Sequence, residues 1–218
     1  MEAYRRKTLY QDKAVAESYL GERFSSPKGR RENEQTRIAL EQAFDKIAGV
    51  KNVLDVPCGN GRFSHLFRGK GYRYVGADVS MEMLQVLAGG EGSRESGKFS
   101  LVRCDGENLP FKDDAFDCVA CIRFLNLVPA AVRRKILSEI RRVSKRWLIV
   151  QSHHLKSMGP LMRLKLMAKR ILGSDLRKYE LQKDILGAGW IAGARVRIKG
   201  TRQCVGVYQK AEGVGAAL

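Results

Sequence analysis

From about residue 35 onward, short apolar runs alternate with stretches of helical period, the order that yields a parallel sheet with helices on both faces. Val53-Leu54-Asp55-Val56 predicts a first strand, 62–67 a helix, 72–77 a second strand and 81–88 a second helix. A Gly- and Ser-rich loop over 89–97 leads to a third strand at 99–103 and a fourth at 116–122. A basic amphipathic helix opened by Pro129 then runs over 129–143, followed by a fifth strand at 147–150. Two β-rich runs, 194–198 and 204–208, joined across Lys199-Gly200-Thr201, predict a closing antiparallel pair. Upstream, 12–20 and 33–48 read as helices separated by Ser25-Ser26-Pro27-Lys28-Gly29. The expected organisation is therefore a helical cap over 1–48, a domain over 49–212 and a frayed tail over 213–218.

Within that frame, one segment concentrates chemistry: Val53-Leu54-Asp55-Val56-Pro57-Cys58-Gly59-Asn60-Gly61-Arg62-Phe63, a strand ending in a carboxylate, a Gly-x-Gly turn and a helix start. Glycines let the backbone approach a ligand, and a helix start offers unpaired N–H groups. Asp78 closes the second strand about 20 residues later, where a carboxylate can accept bonds from both ribose hydroxyls or cap the next helix. Asp105 follows the third strand. Structural capping explains one such carboxylate more readily than three at successive strand ends, and in an open α/β sheet the ligand lies across those ends. A nicotinamide dinucleotide is disfavoured because its fingerprint requires glycine where this chain has Ser64, and no P-loop sequence is present.

These residues resemble the class I S-adenosylmethionine-dependent methyltransferases, particularly the small bacterial "type 11" group, over roughly Val50 to Pro129. The family's acidic-x-Gly-x-Gly-x-Gly motif falls on Asp55, Pro57, Gly59 and Gly61, with Pro57 replacing the first glycine and removing one backbone donor. The most specific match is the approach to the fourth strand, Leu109-Pro110-Phe111-Lys112-Asp113-Asp114-Ala115-Phe116-Asp117-Cys118-Val119. The resemblance implies a Rossmann-like α/β fold with a mainly parallel seven-stranded sheet, a final antiparallel strand pair and helices on both faces. It implies S-adenosylmethionine as cofactor and S-adenosylhomocysteine as product. By it, Gly59 and Gly61, with Pro57, Cys58 and Asn60, approach the methionine part, and Asp55 orients its ammonium. Asp78 holds the ribose, Val79 and Met83 flank the adenine, and Asp105 with Gly106 or Glu107 faces the exocyclic amine. Ile122 and Arg123 complete the set, Arg123 either meeting a carboxylate of cofactor or acceptor or standing in solvent.

Methyl transfer is an in-line displacement at an activated carbon, so holding the nucleophile about 3 Å away is the main task of the protein. Relatives often read Leu-His-His-Leu-Pro after the fourth strand, whereas Ile122 to Pro129 contains no histidine here. His153 and His154, following the fifth strand, are the candidate bases; solvent exposure is their plainer reading. Asn126 either orients an acceptor or caps the helix that follows. Tyr19, Arg23, Phe24 and Arg30 either fold over the cofactor or pack locally.

Charge bears on the acceptor. The 218 residues suit one domain or a domain with one insertion, and 40 Lys and Arg against 23 Asp and Glu give a net charge of +17. Fourteen of the basic residues lie between Ala131 and Lys178, against only Glu139 and Asp175, which points weakly to an acidic partner. Residues 155–172 form a basic amphipathic helix pattern inside an expected substrate lid over 153–174. That helix covers a pocket, touches anionic lipid at the inner membrane face, or packs on the domain.

The expected acceptor is small or lipid-linked and of anionic character. A nucleic-acid acceptor is less favoured for want of an Asn/Asp-Pro-Pro-Tyr/Phe motif, and a non-catalytic, cofactor-binding regulatory protein is the third reading. No apolar run reaches the roughly 20 residues of a spanning helix, and the first seven residues lack a secretory apolar core, so a cytoplasmic protein is expected. Five cysteines read as free thiols, and Cys118-x-x-Cys121 on a strand without a second pair predicts no metal site.

Overall fold

The computed structural model describes residues 12, 14–16, 18, 24–90, 98–153 and 177–212, the last stretch with side chains from Leu181. Its strands are β1 (Asn52–Asp55), β2 (Arg73–Asp78), β3 (Phe99–Arg103), β4 (Phe116–Cys121), β5 (Ser144–His153), β6 (Trp190–Arg197) and β7 (Gln203–Lys210). They form one seven-stranded sheet in the order β3-β2-β1-β4-β5-β7-β6. Strands β1 to β5 pair in parallel, and β7 runs antiparallel to both β5 and β6. This is the expected mainly parallel sheet with its closing antiparallel pair. The helices are α1 (Pro27–Phe44), α2 (Ser64–Gly69), α3 (Met81–Gly89), α4 (Ala130–Val143) and α5 (Arg177–Gly187).

The two sheet faces bury separate apolar layers. On one, Ile136, Leu137 and Ile140 of α4 and Leu181 and Ile185 of α5 pack on Leu54, Val119, Leu148 and Val150. On the other, Ala39, Leu40, Ala43 and Phe44 of α1 and Leu66 and Phe67 of α2 pack on Val53, Ile149, Val205 and Val207. The first long helix is therefore a layer of the sheet domain itself. Cys118 and Cys121 stand in opposite layers, because residues three apart on a strand face opposite ways, and all five cysteines are free.

Several boundaries differ from the expected ones. Helix α1 starts at Pro27, inside the anticipated break, because the Ser26 hydroxyl accepts from Gly29 N at 3.0 Å and proline needs no N–H in a first turn. Strand β5 is ten residues long, since β4 supports one edge and β7 the other, and β6 begins at Trp190 rather than 194. Helix α5 was not anticipated. The loop 91–97, Tyr19, Arg23, the tail 213–218 and residues 154–176, hence nearly all of the expected lid and its basic helix, lie outside the described residues. Among the described residues no helix is long and apolar enough to cross a membrane.

Part of the basic excess is internal. Arg133 is fully buried and pairs with Asp184 of α5, while Arg141 donates to the carbonyls of Gly189 and Ala211 at 3.0 and 3.1 Å. Arg142 holds the carbonyls of Leu109 and Phe111 at 2.8 and 2.7 Å and pairs with Glu139 and Asp113. Glu139 in turn accepts from Leu109 N at 2.8 Å. Helix α4 thus clamps the Leu109 to Asp113 approach, so these arginines serve the fold rather than an outside anion.

Candidate functional site

Strands β1, β2, β3 and β4 run in parallel and end level, with Asp55 opposite Gly76 and Ala120 and Asp78 opposite Arg103. That register puts Asp55, Asp78, Asp105 and Arg123 on one rim, around a cleft they all line. The turn after β1 forms one wall: Val56, Pro57, Cys58, Gly59 and Asn60 line the cleft, and the Val56–Pro57 peptide is cis.

The glycines of that turn do different jobs. Both have left-handed backbones, with φ of 55° at Gly59 and 75° at Gly61, which L side chains disfavour. A Cβ on Gly59 would meet nothing within 4 Å, leaving room for a ligand beside the backbone. A Cβ on Gly61 would sit 2.1 Å from Leu87 Cδ1, so Gly61 is where the turn presses on α3, and it is absent from the cleft wall. Gly61→Ala is expected to lose roughly 2–4 kcal/mol, adding left-handed strain to overpacking, whereas Gly59→Ala loses only about 1 kcal/mol. Denaturant unfolding of the two variants checks the difference.

Asp78 accepts from Gly59 N at 2.8 Å and from Ser80 N at 3.0 Å, tying the turn to the second strand end. Burial nonetheless raises its carboxyl above the ordinary range, against those backbone bonds. The cap of α3 is Ser80, whose hydroxyl accepts from Met83 N at 3.0 Å, so Asp78 is not consumed in that role. Asp55 is buried and pushed up to about 7, chiefly by loss of solvent and further by Asp78, while the Tyr74 hydroxyl donating at 3.1 Å opposes the shift. Tyr74 is held by a run of rings, Phe44, Phe67, Tyr74 and Phe99, with successive centroids 5.2, 5.7 and 5.3 Å apart. The core thereby aims a hydroxyl at the site.

One donor is left over in the same cleft wall. Asn60 Nδ2 is buried with no hydrogen-bond partner among the described residues. A buried carboxylate and a buried free amide N–H at one turn suit a ligand bearing an ammonium and a carboxylate.

The remaining wall is apolar. Val79 and Met83 follow Asp78, and Ile122, Phe124, Leu127, Val132 and Ile136 close the side under β4 and α4. Cys104 also lines the cleft, its thiol raised to about 11 by burial, with Asp78 and Asp105 adding to the shift. Asp105 accepts from Glu107 N at 3.0 Å and lines the cleft with Gly106; Glu107 does not, and lies 3.9 Å from Lys135 Nζ.

Arg123 has a left-handed backbone, φ 57°, and pairs at 2.9 Å with Glu32 of α1, so its charge is already compensated. Arg62, also in the wall, donates to Asn33 at 2.6 Å and lies 4.1 Å over the ring of Phe24, which is buried there. The start of α1 thus latches onto two residues of the cleft, while Arg30 turns back to the Ser25 carbonyl. Asn126 does not cap α4: Pro129 holds the cap position without a side-chain bond, and Asn126 Nδ2 donates to the Gln151 carbonyl at 3.3 Å. His153 is the last residue of β5, its backbone opposite Gln203; its side chain and all of His154 lie outside the described residues.

Sequence reasoning missed Val56, Arg62, Phe63, Cys104, Phe124, Leu127, Val132 and Ile136 in the wall. The four-residue spacing of Val132 and Ile136 was a usable sign, since it puts both on one helix face. Arg62 gave none, because the Asn33 side chain it donates to lies 29 residues upstream and the ring of Phe24 further still.

The family model described as a methyltransferase domain matches residues 53–146. A demethylmenaquinone methyltransferase of Clavibacter sepedonicus is 36% identical over 113 residues, 50% of this chain and 42% of that protein. A malonyl-[acyl-carrier protein] O-methyltransferase of Hamiltonella defensa is 31% identical over 93 residues, 43% of this chain and 33% of that protein. The chain spans about half the length or less of the curated relatives it matches. Among solved structures, the PH0226 protein of Pyrococcus horikoshii OT3 superposes with a TM-score of 0.64 at 22% identity, over 85% of this chain and 92% of that one. Magnesium protoporphyrin IX methyltransferase of Synechocystis PCC 6803, solved with S-adenosylhomocysteine, gives 0.62 at 18% identity, over 85% and 88%. These structural likenesses are likenesses of fold.

Proposed function

We propose that the chain is an S-adenosylmethionine-dependent methyltransferase acting on a small or lipid-linked acceptor, a reading supported by the match of residues 53–146 to the methyltransferase-domain model and by the seven-stranded sheet with its antiparallel close. The observation that carries this reading is that the carboxyls of Asp55 and Asp78 and the unpartnered Asn60 Nδ2 belong to residues lining one cleft at the glycine turn. Asp55 receives the ammonium of the cofactor, Asn60 its carboxylate and Asp78 its ribose hydroxyls. Val79 and Met83 flank the base, and Asp105 with Gly106 faces its amine. When bound, the cofactor supplies a methyl group on a positively charged sulfur. The chain holds the acceptor in line with it and keeps water away through Phe124, Leu127, Val132 and Ile136. Where the acceptor is a hydroxyl, His153 or His154 takes its proton.

The names of two relatives, one acting on demethylmenaquinone and one on a malonyl group carried by a protein, support a small or carried acceptor. The apolar wall supports the same choice, and the Glu32 partner of Arg123 weakens the case for an anionic one.

Calorimetry with S-adenosylhomocysteine tests the reading. Binding is expected, and its pH dependence has a fixed sign. Asp55 titrates near 7 in the free protein, and a bound ammonium favours its ionised form. Binding below that pH must therefore expel a proton, and affinity should fall by up to about tenfold per pH unit as the pH drops below 7. Absence of binding at pH 8 removes the proposal.

A further inference from the structure

The cations that remain after the internal pairs gather at one end of the sheet. The β6–β7 hairpin carries Arg195, Arg197, Lys199 and Arg202, all exposed, and the sequence holds no carboxylate between Asp184 and Glu212. Its turn stands at the end where the cleft opens, because β7 runs antiparallel to β5 and sets Gln203 opposite His153. In the order β1-β4-β5-β7 the hairpin is three strand spacings, roughly 15 Å, from the glycine turn. Lys28 and Arg31 are exposed at the start of α1, the stretch that latches onto Arg62 and Arg123 of the cleft.

Carboxylates at this end are withdrawn. Asp55 and Asp78 are buried, and Glu32, Glu82, Asp105 and Glu107 are half-buried. Among the described residues from Phe24 onward, the exposed carboxylates are Glu34, paired with Arg37 on α1, and Asp45, Asp113, Asp114 and Glu212, at the opposite end of the sheet. A face that presents cations and withholds carboxylates draws an anionic surface and turns the cleft mouth toward it. Two observations choose the kind of surface. Met81, an apolar side chain 38% exposed, stands at this end, two residues before Met83 of the cleft wall. No Phe, Tyr or Trp is exposed among the described residues, so these offer no platform for stacking single-stranded nucleic acid.

We infer that this end of the protein docks on an anionic lipid bilayer, with the β6–β7 hairpin as its electrostatic contact, so that a lipid-linked acceptor enters the cleft from the membrane. The inference deepens the proposed function and rests on it for what enters. Phe124 and Leu127 line the cleft that opens here and give the acceptor an apolar path. The charge lies on the surface and not on the acceptor, in keeping with an Arg123 already matched by Glu32.

Vesicle sedimentation of the full chain at 0.1 M salt tests it, with pure phosphatidylcholine against a mixture containing about one-third phosphatidylglycerol. Binding is expected to the anionic vesicles only. Arg197→Gln, Lys199→Gln and Arg202→Gln together should weaken it about 100-fold, at about fivefold per cation. A charge-matched control, Lys51→Gln, Arg73→Gln and Lys98→Gln together, changes cations exposed at the opposite end of the sheet. It should cost less than about threefold, because the depth of the sheet exceeds the Debye length of about 10 Å. Equal losses in the two variants, or no binding to anionic vesicles, overturns the inference. So does displacement from the vesicles by polyuridylate at equal phosphate concentration, which would mark the face as one for nucleic acid. Unchanged affinity for S-adenosylhomocysteine checks the folding of both variants. Its absence in the unaltered protein removes the cofactor reading and leaves the vesicle result standing.

Discussion

Exchanging Asp55 for asparagine is expected to make the ligand-free protein more stable at pH 8 and to weaken its grip on S-adenosylhomocysteine. Asp55 is buried among Tyr74, Cys58 and Asp78 and titrates near 7, well above the ordinary carboxyl range, because burial disfavours its charge. A carboxyl whose folded value is raised contributes most below its unfolded value, about 3.9, and that stability is lost as the pH rises towards 7. At pH 8 the deficit approaches ~4 kcal/mol, and at pH 5 it is less than half of that. Asparagine has the same shape, can still accept from the Tyr74 hydroxyl and carries no charge to bury. Asp55→Asn should therefore melt about 10 °C higher at pH 8, less so at pH 5, and no differently near pH 3. Affinity should fall about 10- to 100-fold, the loss of one charge-assisted bond to an ammonium. Melting curves at the three pH values and calorimetry at pH 8 decide it. A variant no more stable at pH 8 than at pH 3, relative to the parent, would show that Asp55 is not held protonated by its surroundings.

Arg133→Met is expected to lose about 3–5 kcal/mol of stability, the usual consequence of stripping one partner from a buried ion pair. Arg133 is fully buried, donates to Asp184 of α5 and lies 3.4 Å from the Val128 carbonyl at the start of α4. The methionine fills the space of the aliphatic stem, so the loss reports mainly the stranded Asp184 carboxylate, whose side chain is only 13% exposed. The double exchange Arg133→Met with Asp184→Leu should recover most of it, since replacing both charges by apolar groups is often neutral. Denaturant unfolding of the two single variants and the double one forms the test. Additive losses would mean that the pair does not act as a unit.

The difference between these two residues shows what a sequence discloses. Asp55 was legible because its position at a strand end before Gly-x-Gly restricts what it can do, and local spacing carries that information. Arg133 was not: on the chain it is one more cation in a basic helix, and its burial depends on α5, which lies 44 or more residues further on. The same holds for Arg142, whose bonds to the Leu109 and Phe111 carbonyls turn a surface-looking charge into the clamp of the most recognisable segment. A bulk charge of +17 therefore overstates what remains to attract an outside anion.

By itself the sequence determined the succession of the seven strands and of four of the five helices, the parallel sheet with its antiparallel close, and the glycine turn flanked by acidic strand ends. Those features follow from periodicity, turn chemistry and short-range spacing, which act within a few residues of one another. Only the tertiary structure decided which buried polar groups stay unpaired, that Tyr74 reaches Asp55, that Glu32 neutralises Arg123, and that Asn126 meets Gln151 instead of capping α4. Each of those facts is a contact between segments distant along the chain. Hydrogen-bond satisfaction and desolvation depend on the full set of neighbours, and that set exists only once the sheet has brought its strands together.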